Sequence, residues 1–511
     1  MRRSVAVLVA ALLAVSPAAV AHEERDVQFP SGAGRVPRYR TSGPSIVVCK
    51  RDTDERIRRL GSALEAYNRA LLERCRFHDI QAAVDAVERR GTRILVQPGV
   101  YRERPSRAAP RGECADLENQ NPLTYAQHRR CPHVQNLVAI LGDGPDRGIE
   151  CDGRLCNLQI EGTGARPQDV VVDGDFKRLN VIRADRADGV YFRNFTVQHA
   201  GFNGLYVIET DGFVIDRMLG RWTDEYGFLT FSSDHGLYKR CEAYGNGDSG
   251  LYPGSAAPHY GARFSIEIRR CSSHHNALGY SGTAGDSVYA HHNRFFKNAT
   301  GASMDSFFPD HPGLPQNNAV FRHNEIYSNN KNYYRYYRDG TCDKPSAERG
   351  YERGVVCPTI PVPVGTGILV AGGNQNLFAR NWIFDNWRYG AMQFWVPAAV
   401  RDEPDPDKQY DTSHFNRYVA NHLGVSPRGT QRPNGLDFWW DEEGAGNCWQ
   451  DNVPGPVTSD PAALPDCDAI PVFSTGNAAK QATIAPCATW SRDNPDPAGC
   501  DWMRRPERPG G

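Results

Sequence analysis

YFRNFTVQHAGFNGLYV, residues 191–207, decides how this chain folds. With its flanks it reads as three short strands, VYFRN, FTVQ and GLYVIE, parted by tight turns rich in Asn, Gly and Asp. The same grammar returns in YKRCEAYGNGDSGLYP (238–253), IRRCSSHHNALGYSG (268–282) and FARNWIFDNWRYGAMQF (378–394). The glycine opening the third run stands at Gly204, Gly227 and Gly250, 23 residues apart each time. It recurs at Gly279 and Gly301, and again at Gly367 and Gly390. A period of about 20 to 50 residues marks stacked supersecondary units, each burying its apolar face on its neighbours. Like residues then stack as well. Cys241 and Cys271 occupy one such position, where Asn293, Asn324 and Asn381 follow in later coils, the pattern of an asparagine ladder. The two cysteines either pair or stack as buried thiols.

Working outward, HDIQAAVDAVERRGTRILVQPGVYRE (78–103) places Ile80, Ala83, Val84 and Val87 on one helical face. A helix over 80–90 would cap the first coil, hiding apolar side chains and unpaired strand edges. Helix, strand and PGVY in this order resemble the opening of right-handed parallel β-helix proteins of the pectin-lyase-like superfamily, secreted bacterial type. The resemblance covers residues 78–400 and implies an all-β solenoid with an N-terminal capping helix and disulfide-stapled loops. Before it lies an extension, 22–77, with helical spacing in DERIRRLGSALEAYNRALLER (54–74). Residues 104–156 read as a cysteine-rich insertion and 157–400 as regular coils. Residues 401–511 read as a final coil, built from HFNRYVANHL and GLDFWWDEEGAGNCW, and a stapled tail.

Residues 1–21 read as a signal peptide: Arg2 and Arg3 precede an apolar stretch from Val5 to Val15, and Ala19-Val20-Ala21 sets cleavage after Ala21. No later run is long and apolar enough for a membrane span. The 14 cysteines are even in number and form no CxxC pair, which suits a disulfide set in an exported protein better than a zinc site. The net charge of −1 without a long basic run argues against nucleic acid. A soluble, extracellular monomer is expected.

Nine of the 15 histidines fall between residues 199 and 323. In the coil reading His199, His274 and His275 lie on the turn entering the glycine-led strand, beside Asp224, Glu225 and Asp248. Asp234, His235, His259, Asp310 and His311 lie on the turn leaving it. Tyr206, Tyr252, Ser281 and Ser303 ride on the strand, with Asp305 at its exit. Extra residues at 253–264, 307–318 and 338–365 are each expected just after that strand, forming one wall beside its outer face. Imidazoles and carboxylates supply acid–base groups, so His235, His275, His311 and Asp305 are the expected catalytic residues. Tyr206, Tyr252, His274, Tyr333 and Arg335 are the expected substrate contacts, since rings stack on sugars and Arg pairs with carboxylates. Asp224 and Asp248 are the expected ligands of a cation, calcium by preference.

The family resemblance implies an extracellular enzyme of polysaccharide, a lyase, hydrolase or epimerase; the rings and arginines crowded in NYYRYYRDG (332–340) and NWIFDNWRYGAMQFW (381–395) on late coils suit an acidic one. The vWiDH signature, the paired-Asp pattern and the DPHD motif of three of its enzyme families are absent; Pro309-Asp310-His311-Pro312 departs from the last. No family residue is therefore carried over. The alternative is a solenoid that binds glycan or cell-wall material without turnover.

Overall fold

The computed structural model describes residues 25–142, 151–309, 311–400, 403–471 and 473–510. The signal-peptide reading, Asp310 and part of the 104–156 insertion lie outside these residues. The fold is a right-handed parallel β-helix in which every coil contributes short strands to three sheets, A, B and C. It divides into two compact units, His22–Asn246 with Ser346–Glu352, and Gly247–Pro345 with Arg353–Gly511.

In the first unit sheet A begins at Ser45–Val48 and Arg93–Val96 and runs to Asp234–Lys239; sheet B runs from Gly99–Tyr101 to Glu242–Tyr244. Sheet C holds Asn136–Leu141, Asn180–Asp185, Asn203–Ile208 and Tyr226–Phe231. The helix at the open end is shorter than its sequence suggests, Ile80–Asp85. Its amides are capped from a distance: buried Glu103 accepts from Ile80 N at 2.8 Å and Gln81 N at 2.9 Å. An extended segment lies along the coils upstream, where Arg25 pairs with Asp185 and Glu209, and Gly34 N donates to Asp211 at 2.7 Å.

In the second unit sheet C holds Ser249–Gly254, Leu278–Ser281, Thr300–Asp305, Thr366–Ala371, Tyr389–Phe394 and Leu436–Trp440. Coils continue past residue 400, through Arg417–Val419, His422–Leu423 and Cys448–Gln450. Inward residues stack in register as Leu251, Tyr280, Ala302, Ile368, Ala391 and Phe438. The repeated glycine has a steric cause. A Cβ at Gly204, Gly279, Gly301 or Gly367 would strike the carbonyl oxygen of the corresponding glycine one coil on.

Three asparagine ladders close the turns of the second unit. Asn293, Asn324, Asn381, Asn421 and Asn452 follow sheet A, each accepting both the backbone and side-chain N–H of the one before. Asn276, Asn298, Asn329, Asn386 and Asn434 follow sheet B, and Asn376, Asn416 and Asn447 follow sheet C. No cysteine is free, Cys241 and Cys271 included. Bridges join 49–75, 114–131, 151–156, 342–357, 448–467 and 487–500.

One expectation is corrected by the strand order. Residues 253–264 and 307–318 do follow sheet C strands, but 338–365 lie between Glu325–Tyr327 of sheet B and Thr366–Ala371 of sheet C. That insertion precedes its glycine-led strand. The insertions therefore join sheet C at both ends of its strands, two leaving it and one entering it.

Candidate functional site

Alternate residues of a strand face opposite sides. On sheet C of the second unit the outer row reads Tyr252, Ser281, Ser303, Leu369, Met392, Trp439. Two small hydroxyls thus interrupt a bulky row and leave a polar notch. The next outward row places Thr283 beside Asp305, and Asp305 level with Ala371. Thr283 Oγ1 and Ser303 Oγ both donate to Asp305 Oδ2 at 3.0 Å. No aligned donor reaches Asp305 Oδ1 among the described residues. Burial pushes this carboxyl above its usual range, against the hydrogen bonds from Thr283 and Ser303 and the Phe307 amide.

His311 closes the notch from the 307–318 insertion. Its Nδ1 lies 3.0 Å from the carbonyl oxygen of Pro309, which can only accept, so Nδ1 carries the proton. In the neutral ring Nε2 is then the acceptor, and the Tyr252 hydroxyl donates to it at 3.2 Å. The site is narrow: Tyr252 is 2% exposed, Asp305 6% and His311 7%. A phenol paired with an oriented imidazole, on the same outer face as a carboxyl that burial raises, is equipped to move a proton beside a bound anion.

The other expected residues sit elsewhere. His274 and His275 pack as a pair at the turn after sheet B, Nδ1 to Nδ1 2.7 Å, and burial together with His274 lowers His275 to about 4. Tyr333 is buried in the apolar cluster of the 331–365 segment, its hydroxyl raised by burial. Arg335 caps the Tyr336 ring. Asp248 is buried and accepts from Thr359 Oγ1 at 3.2 Å.

Three of them belong to the first unit. Tyr206 is buried beneath the Arg183 guanidinium. Asp224 is held by Ser346, Tyr351 and Arg349, so a guanidinium and two hydroxyls fill the place proposed for a cation. His235 Nδ1 lies 2.6 Å from Asp211 Oδ1, and its backbone N–H donates to Asp234 at 2.7 Å. Asp211, Asp234 and His235 bring three donor atoms within 4.8 Å of one another, a better cation set than Asp224. The sequence carried its signal: Asp188-Gly189, Asp211-Gly212 and Asp234-His235 recur at intervals of 23, with His235 in the glycine's place at φ +45°.

A further group in the first unit is formed by His199, between Asp173 at 2.8 Å on Nδ1 and Glu352 at 2.9 Å on Nε2. Its ring stacks on Trp222. Burial raises the Asp173 carboxyl, but His199, the Asp175 amide and Arg102 outweigh it and hold it low.

The aromatics of the late coils form a ladder on sheet B. Phe296, Tyr327 and Phe384 stack at centroid distances of 5.1 and 4.9 Å with planes within 5° of parallel. Each ring face covers the next, so the column presents edges rather than platforms for sugars.

No family model matches the chain, and no curated protein sequence is similar to it. Solved structures share the architecture. The A-module of mannuronan C-5 epimerase AlgE6 of Azotobacter vinelandii is 12% identical with a TM-score of 0.41, covering 74% of this chain and 92% of its own. Pectate lyase Pel9A is 13% identical with a TM-score of 0.34, over 84% of this chain and 80% of its own. The tailspike of Escherichia coli bacteriophage HK620 is 9% identical with a TM-score of 0.41, over 74% and 60%. Similarity at this level assigns no activity. Among the described residues no helix is long and apolar enough to cross a membrane.

Proposed function

We propose that the protein is exported and acts on an acidic polysaccharide, removing the C5 proton of a uronic-acid residue at the notch of Tyr252, His311 and Asp305. The observation that carries this reading is the Tyr252–His311 hydrogen bond, with the imidazole oriented by Pro309. Disulfides throughout the chain suit an oxidising compartment.

The step follows from the chemistry of these groups. In its neutral form, which burial favours, the Asp305 carboxyl donates to the uronate carboxylate and makes the C5 proton more acidic. The Tyr252 oxygen takes that proton as its own passes to His311 Nε2. The C5–H electron pair forms the C4–C5 double bond, C4–O4 breaks, and the proton returns through Tyr252 to O4. One proton has moved from C5 to O4 and none is left over: a lyase reaction. An epimerase would share the first transfer and return a proton to C5 from the opposite face. A hydrolase needs two carboxyl groups flanking the bond, whereas the groups invoked here are one carboxyl, a phenol and an imidazole.

A second reading, glycan binding without turnover, draws on the low exposure of Tyr252 and Ser281. The deciding experiment is incubation of the mature protein with a panel of uronic-acid polysaccharides, with calcium or EDTA. Ultraviolet absorbance of the unsaturated product and reducing ends are followed together. A rise in both supports the lyase; reducing ends alone overturn it in favour of hydrolysis; retention of a glycan with neither favours binding. The EDTA arm tests for a divalent cation; Asp211, Asp234 and His235 are the proposed ligands, and their imidazole suits a transition metal better than calcium, which takes oxygen ligands.

A further inference from the structure

We infer, resting on the reading above, that the notch takes the end of a uronan chain, or a short oligosaccharide, and not the interior of a polymer. Ser303 pairs with Leu369 of the next coil, about 4.8 Å away. From that coil onward the outer face of sheet C is filled by the protein itself. Leu369, Ala371, Met392, Phe394 and Trp439 are buried in one apolar cluster with the 331–365 insertion and the C-terminal tail. A polymer lying across successive coils would need that face for its next sugars.

The covering tail is fixed in place rather than laid over the surface. The Trp502 ring packs on Phe394 at 5.7 Å, and Trp490 meets Tyr334 and Tyr337 at 5.6 and 5.7 Å. Cys487–Cys500 closes a loop that holds Trp490 and ends two residues before Trp502. Backbone and charge hold the same stretch: Val364 N donates to Trp502 O at 3.0 Å, and Arg388 donates to Asp501 O at 2.9 Å and Arg504 O at 3.1 Å. Burial of side chains this large opposes lifting the tail for each substrate. Trp502 and its neighbours are thus specificity-determining: they end the binding surface one coil beyond the reacting groups.

The test is the product pattern on a soluble uronan that the protein turns over. Short products from the first moments, with viscosity nearly unchanged, are expected. An early fall in viscosity with a broad ladder of intermediate lengths overturns the inference while leaving the reaction standing. Absence of unsaturated product on every uronan overturns the reaction itself, and the inference with it. Trp502→Ala, checked for native circular dichroism, is expected to gain cleavage within the chain. A folded Trp502→Ala protein with an unaltered product pattern overturns the role given to the tail. If that variant does not fold, the wild-type product pattern decides alone.

Discussion

Tyr252 donates its hydroxyl proton to Nε2 of His311 at 3.2 Å, and the opposite nitrogen of that ring is committed to the Pro309 carbonyl at 3.0 Å. The imidazole therefore cannot turn to offer Nε2–H without giving up a hydrogen bond. Tyr252→Phe removes the relay oxygen and keeps the ring, so a loss of about 10²–10⁴-fold in kcat is expected with KM little changed. His311→Gln should fall in the same range. Folding of Tyr252→Phe should be weakened by only about 1 kcal/mol, the net worth of one hydrogen bond. Full activity in both variants would remove these residues from the mechanism.

Asp305 supplies a pH test. Burial raises its carboxyl, so the neutral form persists to higher pH than for an exposed aspartate. If the neutral form holds the substrate carboxylate, turnover falls as pH rises through that ionisation. Asp305→Asn keeps a neutral donor and should flatten this limb while retaining substrate affinity; Asp305→Ala should lose affinity at every pH. An unchanged alkaline limb in Asp305→Asn would show that another group controls it.

Much of the architecture was legible because its cause repeats. Each glycine of the Gly279, Gly301 and Gly367 column meets the same steric demand, a carbonyl one coil away, so the spacing of coils is written in the chain. The asparagine ladder was legible for the same reason. Tyr252, Asp305 and His311 could be named singly because strand and turn positions follow from the coil period. Their assembly could not, since His311 stands on an insertion, where no period operates. Tyr333 shows the converse. Its aromatic-rich segment looked like a sugar platform, yet that segment carries its own disulfide and apolar cluster, and the ring turns inward. The tail was unreadable for want of any pattern pairing Trp502 with Phe394 of sheet C, or Trp490 with Tyr334 and Tyr337.

Glu103 makes stability depend on pH at the capped end. It is buried, and burial pushes its carboxyl up from 4.5 to about 7, against the pull of the Gln81 and Ile80 amides. The folded state thus binds this proton more tightly than the unfolded chain. Its contribution is full below the unfolded pKa near 4.5 and is lost as pH rises through about 7. The difference corresponds to roughly 3 kcal/mol. Glu103→Gln cannot ionise, so denaturant midpoints measured across this window should lose the part of the slope due to Glu103. An identical slope in wild type and variant would mean that Glu103 is not the titrating group.

Asn381 tests whether the ladders carry load or merely line the turns. Its Oδ1 accepts from the backbone N–H and the side-chain amide of Asn324, both at 3.0 Å. Its Nδ2 donates to Phe321 O at 2.9 Å and to Asn421 Oδ1 at 3.1 Å. Alanine at this position would leave the Asn324 backbone N–H without its acceptor in a buried turn and take one of two acceptors from the Asn324 side-chain amide, which keeps Ala290 O at 3.0 Å. Each unsatisfied buried group costs about 1–3 kcal/mol, with partial relief where water enters. A loss of roughly 1–3 kcal/mol is therefore expected for Asn381→Ala. Asn452, at the end of the same ladder, is only part-buried with Asn421, so Asn452→Ala should cost less. Chemical denaturation of the two variants gives the comparison. Equal and small losses at both positions would show that the ladder's hydrogen bonds are replaced by water, leaving coil stacking to apolar packing and the backbone.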